Sequence, residues 1–218
     1  VLLGHVPGTL RPDLVVCVLD ATNLRRNLFL ATQVAEVGLP MVLALNMWDE
    51  AEEKKLRVDV EALSARLGVP VVPTVASKGR GVDELKAAIT DALARKPKMQ
   101  CIAWPKPVDD AVHTLHKALD GQTSRNIDVT EAQRLLFYTE SSLADELGIA
   151  VGERMKHVET AREAIRHGGY DPAHVETAVR YPWIDNLLAG LTEPPGEPKR
   201  ARSESIDDLL THRVFGLV

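Results

Sequence analysis

Residues 38–49 read GLPMVLALNMWD. Gly38-Leu39-Pro40 is a turn signal. Met41 to Leu45 is apolar at every position, and the run stops at Asn46, with the acid Asp49 three residues on. A short run with no alternation suits a strand covered on both faces, as in a parallel sheet. Its ending in an amide and an acid fits two readings. One is a capped turn between strand and helix. The other is a pocket that reads a hydrogen-bonding ligand.

The same pattern recurs on either side. Leu14 to Leu19 and Val69 to Val72 are apolar runs of the same kind. Helical periods lie between and after them: Leu24, Leu28, Ala31, Val34 and Ala35; then Val60, Leu63, Ala65 and Leu67; then Val82, Leu85, Ala88, Ile89 and Leu93. Gly38 and Gly68 stand where a helix gives way to a strand. The order β-α-β-α-β-α predicts right-handed crossovers and a doubly wound α/β sheet. Such sheets usually hold about five or six strands, so further strands are expected upstream of residue 1.

Residues 96–107, KPKMQCIAWPKP, hold three prolines and read as a connection. Beyond them the β signal vanishes. Val108 to Leu119 fits a helix, and Thr130 is a good N-cap for a helix over 131–138. Ser141 or Ser142 can open another. Residues 152–167 read as a charged helix stopped by Gly168-Gly169. Asp171-Pro172 is expected to start a last one, running to about Leu191, with Trp183 in the core of the helical part. The predicted division is therefore an α/β domain over 1–95, a connection over 96–107 and a small all-α domain over 108–192. A linker follows over 193–205, with a final segment over 206–218. Val1 and the apolar run ending at Val218 read as cut ends of something longer.

Composition narrows the class. Across 218 residues, 45% are apolar and 26% charged, the signature of a globular chain. A net charge of −5 gives no nucleic-acid footprint. Cys17 and Cys101 have neither CxxC spacing nor nearby histidine, which argues against a metal site and fits a reducing compartment. His113 and His116 lack an evident third ligand and read as surface or interface residues. The Asp49–Glu53 run reads as a solvated helix start.

Ligands of open α/β sheets bind at the C-terminal ends of the strands. Three such ends are visible: residues 20–23 (DATN), 46–49 (NMWD) and 74–79 (TVASKG). A carboxylate at Asp49 can accept two hydrogen bonds at once. Guanine offers two donors on one edge, N1–H and the N2 amine; adenine offers neither there and would leave the carboxylate unpaired. An unpaired buried polar group costs about 1–3 kcal/mol, more if charged, so such a site discriminates chiefly by penalty. Asn46 can bond the base or the neighbouring loop, and a backbone N–H near Ala76 can reach the guanine O6. Asp20 reads as a cap or a bridge between loops.

Asn46-Met47-Trp48-Asp49 resembles the base-specificity motif of P-loop GTPases, commonly N-K-x-D, and Val75-Ala76-Ser77 resembles the S-A-x loop that follows it. The chain more closely resembles the FeoB family, ferrous iron transport protein B. The likeness is carried by residues 13–28 (DLVVCVLDATNLRRNL), 45–51 (LNMWDEA), 58–63 (VDVEAL) and 68–74 (GVPVVPT), and it returns at 210–216 (LTHRVFG), so that 206–218 resembles the start of the segment that enters that family's membrane domain. The resemblance implies a partial P-loop-GTPase-like parallel sheet with flanking helices. Beyond it come a helical domain that slows guanine-nucleotide dissociation and then a polytopic Fe²⁺ pathway. It implies GTP or GDP as ligand, Mg²⁺ in the intact protein, and a place on the cytoplasmic face of the bacterial inner membrane, with membrane attachment through the part beyond residue 218. It carries Asn46, Met47, Asp49, Ala76 and Ser77 over as guanine-binding residues, with the Lys78 stem able to pack on the base. The oligomeric state stays open, a homo-oligomer included.

Two positions depart from the GTPase pattern. Met47 stands for the usual Lys and can cover the base without charge. Val75 stands for the usual Ser, which removes a side-chain bond and predicts a less rigid loop. No G-x-x-x-x-G-K-[ST] or D-x-x-G is present, and Gly79-Arg80-Gly81 reads as a turn. The chain alone is therefore expected to bind GDP feebly and not to hydrolyse GTP. Two rivals remain: a ribosome-assembly-type GTPase and a non-enzymatic interaction module.

Overall fold

The computed structural model describes residues 2, 3, 8–138, 143–149 and 152–193. The chain opens with β1 (Val15–Asp20), then α1 (Leu24–Ala35), β2 (Met41–Asn46), α2 (Trp48–Glu53), β3 (Arg57–Val58), α3 (Val60–Leu67), β4 (Val71–Pro73) and α4 (Val82–Arg95). The helical part follows as α5 (Lys106–Leu119), α6 (Val129–Phe137), α7 (Leu143–Glu146), α8 (Glu153–His167) and α9 (Val175–Leu188), and the short β5 (Thr192–Glu193) closes the described chain.

The strands β1, β2 and β4 form one parallel sheet in that order, with Asp20 beside Asn46 and Leu45 beside Pro73 at its C-terminal edge. The side chains alternate across the pleat. Cys17, Leu19, Met41, Leu43, Leu45 and Val71 point to one face, where α1, α3 and α9 bury them. On the other face, Val42 and Ala44 are buried and α4 packs along β2 and β4.

Double coverage is expected of all three strands, and β1 departs from it. Val18, at its centre, is 62% exposed, and Leu93 on α4 is also open, against its expected place in the core. Only β2 has a neighbour on each side, so only its face is fully roofed by α4. Ala65 likewise faces solvent rather than the α3 stripe.

The second apolar cluster unites α5, α6, α7 and α8, with Leu115, Leu119, Leu136, Leu147 and Ile165 fully buried. The α6 cap is Asp128 rather than Thr130. Its side chain accepts from Thr130 N–H while the Glu131 side chain accepts from Asp128 N–H, a reciprocal capping box two residues upstream of the expected cap. Buried Arg162 donates to the Leu135 and Leu136 carbonyls at 2.7 and 3.2 Å, satisfying groups that a helix end leaves open.

Residues 96–105 form a packed strap. Pro97 O accepts from Met41 N–H at 3.0 Å, Gln100 N–H donates to Leu67 O at 2.8 Å, and Met99 and Ile102 are buried. The α5 helix starts at Lys106, two residues before its expected start. The α9 helix starts at Val175, because Pro172 sits in the turn before it.

The largest correction concerns α9. Ile184, Leu187, Leu188 and Leu191 belong to the sheet-side core, with Trp183 packed against it, whereas Val175 belongs to the helical core. Trp183 therefore does not serve the helical part, and α9 joins the two cores. β5 then pairs antiparallel with β3, a pairing the sequence did not suggest. The expected helix start at Ser141 or Ser142, the linker beyond residue 193 and the segment over 206–218 lie outside the described residues. Among the described residues, no helix is long and apolar enough to cross a membrane.

Candidate functional site

The parallel register brings the three strand ends to one edge. At the first, Asp20 caps the turn over 21–23: its Oδ1 accepts from Thr22 N–H at 2.7 Å, while Asn27 Oδ1 accepts from Asp20 N–H at 3.2 Å. That is a loop-bridging role.

At the second, the chain must turn sharply from β2 into α2. Met47 makes the turn with a left-handed φ of 60°, a conformation uncommon for a residue with a side chain. Trp48 N–H donates to Thr74 O at 3.2 Å, and Thr74 N–H donates to Leu45 O at 2.7 Å, tying the second end to the third. Asn46 completes the tie. Its Oδ1 accepts from Ala76 N–H at 3.0 Å and, more loosely, from Thr74 Oγ1 at 3.4 Å. Its amide N–H₂ makes no hydrogen bond with the described residues.

At the third, Val75 is buried and its N–H donates to Arg80 O at 2.9 Å, closing residues 75–80 into a tight loop. Gly81 must be glycine here. Its φ is +80°, and a Cβ would stand 2.1 Å from the Pro73 carbonyl oxygen. Arg80 makes a bidentate pair with Glu52 of α2 at 2.7 and 2.9 Å. The Val75–Arg80 bridge and this ion pair both hold the loop closed.

Asp49 lies at the centre, on the first turn of α2. Its side chain is a quarter exposed; Oδ1 accepts from Glu50 N–H at 3.1 Å and Oδ2 from Lys78 Nζ at 2.7 Å. The hydrogen bond from Lys78 holds the Asp49 carboxyl below the usual carboxylate range, and Asp49 in turn raises Lys78. Glu52 is lowered by Arg80. Each Asp49 oxygen thus already accepts one donor from within the chain.

The structure therefore gathers Asn46, Met47, Asp49, Ala76 and Ser77. The Ala76 N–H is committed to Asn46, so of the backbone donors near Ala76 this one is already engaged. The Ser77 N–H makes no hydrogen bond with the described residues and is an open backbone donor next to Ala76. The sequence signalled the loop through Gly79 and Gly81, but it did not signal the pairs Lys78–Asp49 and Arg80–Glu52.

No group of three histidine, cysteine, aspartate or glutamate side chains among the described residues could hold a metal ion. His116 Nε2 bonds Ile127 O and His113 Nδ1 bonds Asp109 O, both structural contacts.

A parallel sheet with three loops converging at its C-terminal edge, flanked by helices and joined to a helical layer, defines the class as GTPase-like α/β with an all-α companion. Residues 8–89 match the family described as Ferrous iron transport protein B. The chain is 34% identical over 208 residues to the Fe(2+) transporter FeoB of Escherichia coli (strain K12), covering 94% of this chain and 26% of that protein. It is 34% identical over 211 residues to the Fe(2+) transporter FeoB of Salmonella typhimurium, with the same coverage.

Among solved structures it is similar to mGMPPNP-bound NFeoB from S. thermophilus, at 27% identity and TM-score 0.69, over 88% of this chain and 71% of that one. An S. thermophilus NFeoB mutant bound to GDP gives 27% and 0.68, over 85% and 71%. The cytosolic domain of T. maritima FeoB in apo form shares the fold, with a TM-score of 0.63 at 20% identity, over 83% and 68%. The chain belongs to the FeoB family. It spans about a quarter of the length of the curated relatives it matches.

Proposed function

We propose that this chain supplies the base-reading side of a guanine-nucleotide site in a ferrous iron transporter. The observation that carries the reading is the meeting of Asn46, Asp49 and the 75–80 loop at one sheet edge, tied by the Asn46–Ala76 and Lys78–Asp49 bonds. The S. thermophilus relatives solved with GDP and with mGMPPNP support guanine nucleotide as the ligand class.

In this reading the Asp49 carboxylate accepts from the guanine N1–H and the N2 amine. The Ser77 N–H donates to O6. Asn46 holds the third loop through Oδ1 and turns its free amide toward the base. Met47 lays its apolar stem along the ring, and Ala76 packs at the loop tip. Adenine fails because it leaves Asp49 without its paired donors, at a cost of about 1–3 kcal/mol or more.

The division of labour follows the two cores. Residues 1–95 read the base, the layer built on α5–α8 is the helical domain that slows nucleotide release, and α9 joins them. In the intact transporter, GTP binding and hydrolysis gate Fe²⁺ uptake at the cytoplasmic face of the inner membrane. No nucleic acid is engaged. The phosphate-cradling sequence G-x-x-x-x-G-K-[ST] does not occur in these 218 residues.

Guanosine and adenosine, which carry no phosphate, test the reading directly. Guanosine should shift the amide resonances of Ser77 and Glu50 in a saturable NMR titration, and adenosine should not. Equal responses to both nucleosides would reject guanine reading.

A further inference from the structure

Asp49 is already engaged inside the chain. Lys78 Nζ lies 2.7 Å from its Oδ2, and the lysine side chain is 66% exposed while that of Asp49 is 25% exposed. The loop bearing Lys78 closes by other means: the Val75–Arg80 backbone bond, the bidentate Arg80–Glu52 pair and the Asn46–Ala76 bond. The Lys78–Asp49 contact is thus not what shapes the loop. It spans the gap between loop and α2, on the carboxylate the proposed reading needs.

An ammonium bound to a carboxylate is a stronger partner than a neutral N–H donor. It is also carried on a flexible four-carbon stem that can swing into solvent. We propose that Lys78 is a displaceable latch on Asp49: its ammonium takes the position that a purine's paired N–H donors require, so base entry must swing the lysine aside, and Lys78 thereby weakens guanine binding. This rests on the assignment of Asp49 as base reader. Glu52, Glu53 and Arg80 are the other charged groups acting on the pair, and none of them bonds Asp49.

The contact is exposed on the lysine side, so its strength is that of a surface ion pair and falls with salt. Lys78→Met keeps the stem and removes the charge. In the full chain at low ionic strength, it should tighten guanosine binding about two- to five-fold, with the gain shrinking as salt is added. The Asp49 carboxyl resonance, followed by NMR, should titrate below the usual carboxylate range in the wild type and move up in Lys78→Met.

Unchanged or weaker guanosine binding in Lys78→Met overturns the latch, as does an Asp49 titration that stays put. Asp49→Asn is the separate control on the underlying reading. If it leaves guanosine preference intact, base reading by Asp49 fails, even where the carboxyl titration shows the ion pair to be real. Absence of guanosine binding in both wild type and Lys78→Met rejects both.

Discussion

Arg180 is the side chain on which the joint between the two cores turns. It is 1% exposed, donates from Nε to Glu176 at 2.8 Å and from Nη2 to Glu36 at 2.6 Å, and lies 5.2 Å from the centre of the Trp104 ring. Glu36 follows α1, on the sheet side, and Glu176 is on α9. Replacing Arg180 with Ala leaves two carboxylates, 11% and 10% exposed, without their cation. Removing one partner of a buried pair costs about 3–5 kcal/mol. Two features place this case at the low end of that range. Glu36 keeps donors from Trp104 Nε1 at 3.2 Å and Gln133 Nε2 at 3.0 Å, and Glu176 keeps Gln33 Nε2 at 2.9 Å and the Tyr138 hydroxyl. Arg180 Nη1 is itself a buried donor with no partner among the described residues, so its removal relieves a cost already present. A loss of about 3 kcal/mol in a chain of this size corresponds to a fall in Tm of about 6–12 °C. Circular dichroism melts of wild type and Arg180→Ala measure it, with Glu36→Gln and the double variant completing a cycle. A melting point within about 2 °C of wild type would refute the claim that this triad fastens α9 to α1.

Tyr138 and Gly81 give two further tests. Burial first, then the bond to Glu176, pushes the Tyr138 hydroxyl up to about 12. A raised folded-state pKa favours the neutral phenol. Its stabilising contribution should be complete below the unfolded value of about 10 and disappear as pH climbs through about 12. Subtracting the alkaline absorbance titration of Tyr138→Phe from that of wild type should leave a step near 12, and a step near 10 would contradict the burial argument. Gly81→Ala meets the Pro73 carbonyl at 2.1 Å, whereas Gly79→Ala meets nothing within 4 Å at a similar φ of +69°. Both should pay the left-handed penalty of about 1–2 kcal/mol, and Gly81→Ala should lose clearly more in urea. Equal losses would show that the Pro73 approach is not tight.

The three strands of the parallel sheet were legible because each is a short apolar run followed by a polar residue, and the register then had to bring Asp20, Asn46 and Thr74 to one edge; β3 and β5, two residues each and not apolar, left no such signal. Helix existence was legible from the helical spacing of apolar residues, while boundaries slipped by two or three residues, as where Asp128 and Thr130 compete as caps. The docking of α9 was not legible. Val175, Ile184, Leu187 and Leu188 say that the helix is buried, but periodicity cannot say which of two cores receives each residue. Charge partners far apart in sequence, such as Arg180 with Glu36, leave no local signal. In the site, spacing pointed to the loop but not to the donor. Asn46 takes the Ala76 N–H and leaves that of Ser77 open, a choice between neighbouring donors that spacing does not make.

The central claim is that Asp49 selects the base through paired acceptor oxygens. Asp49→Asn replaces one acceptor with a donor, which suits the C2 carbonyl of xanthine in place of the guanine amine. Parallel NMR titrations of wild type and Asp49→Asn with guanosine and xanthosine are therefore the most direct measurement. The expected result is guanosine preference in the wild type and a reversal towards xanthosine in the variant. The same preference in both proteins would remove Asp49 from the site.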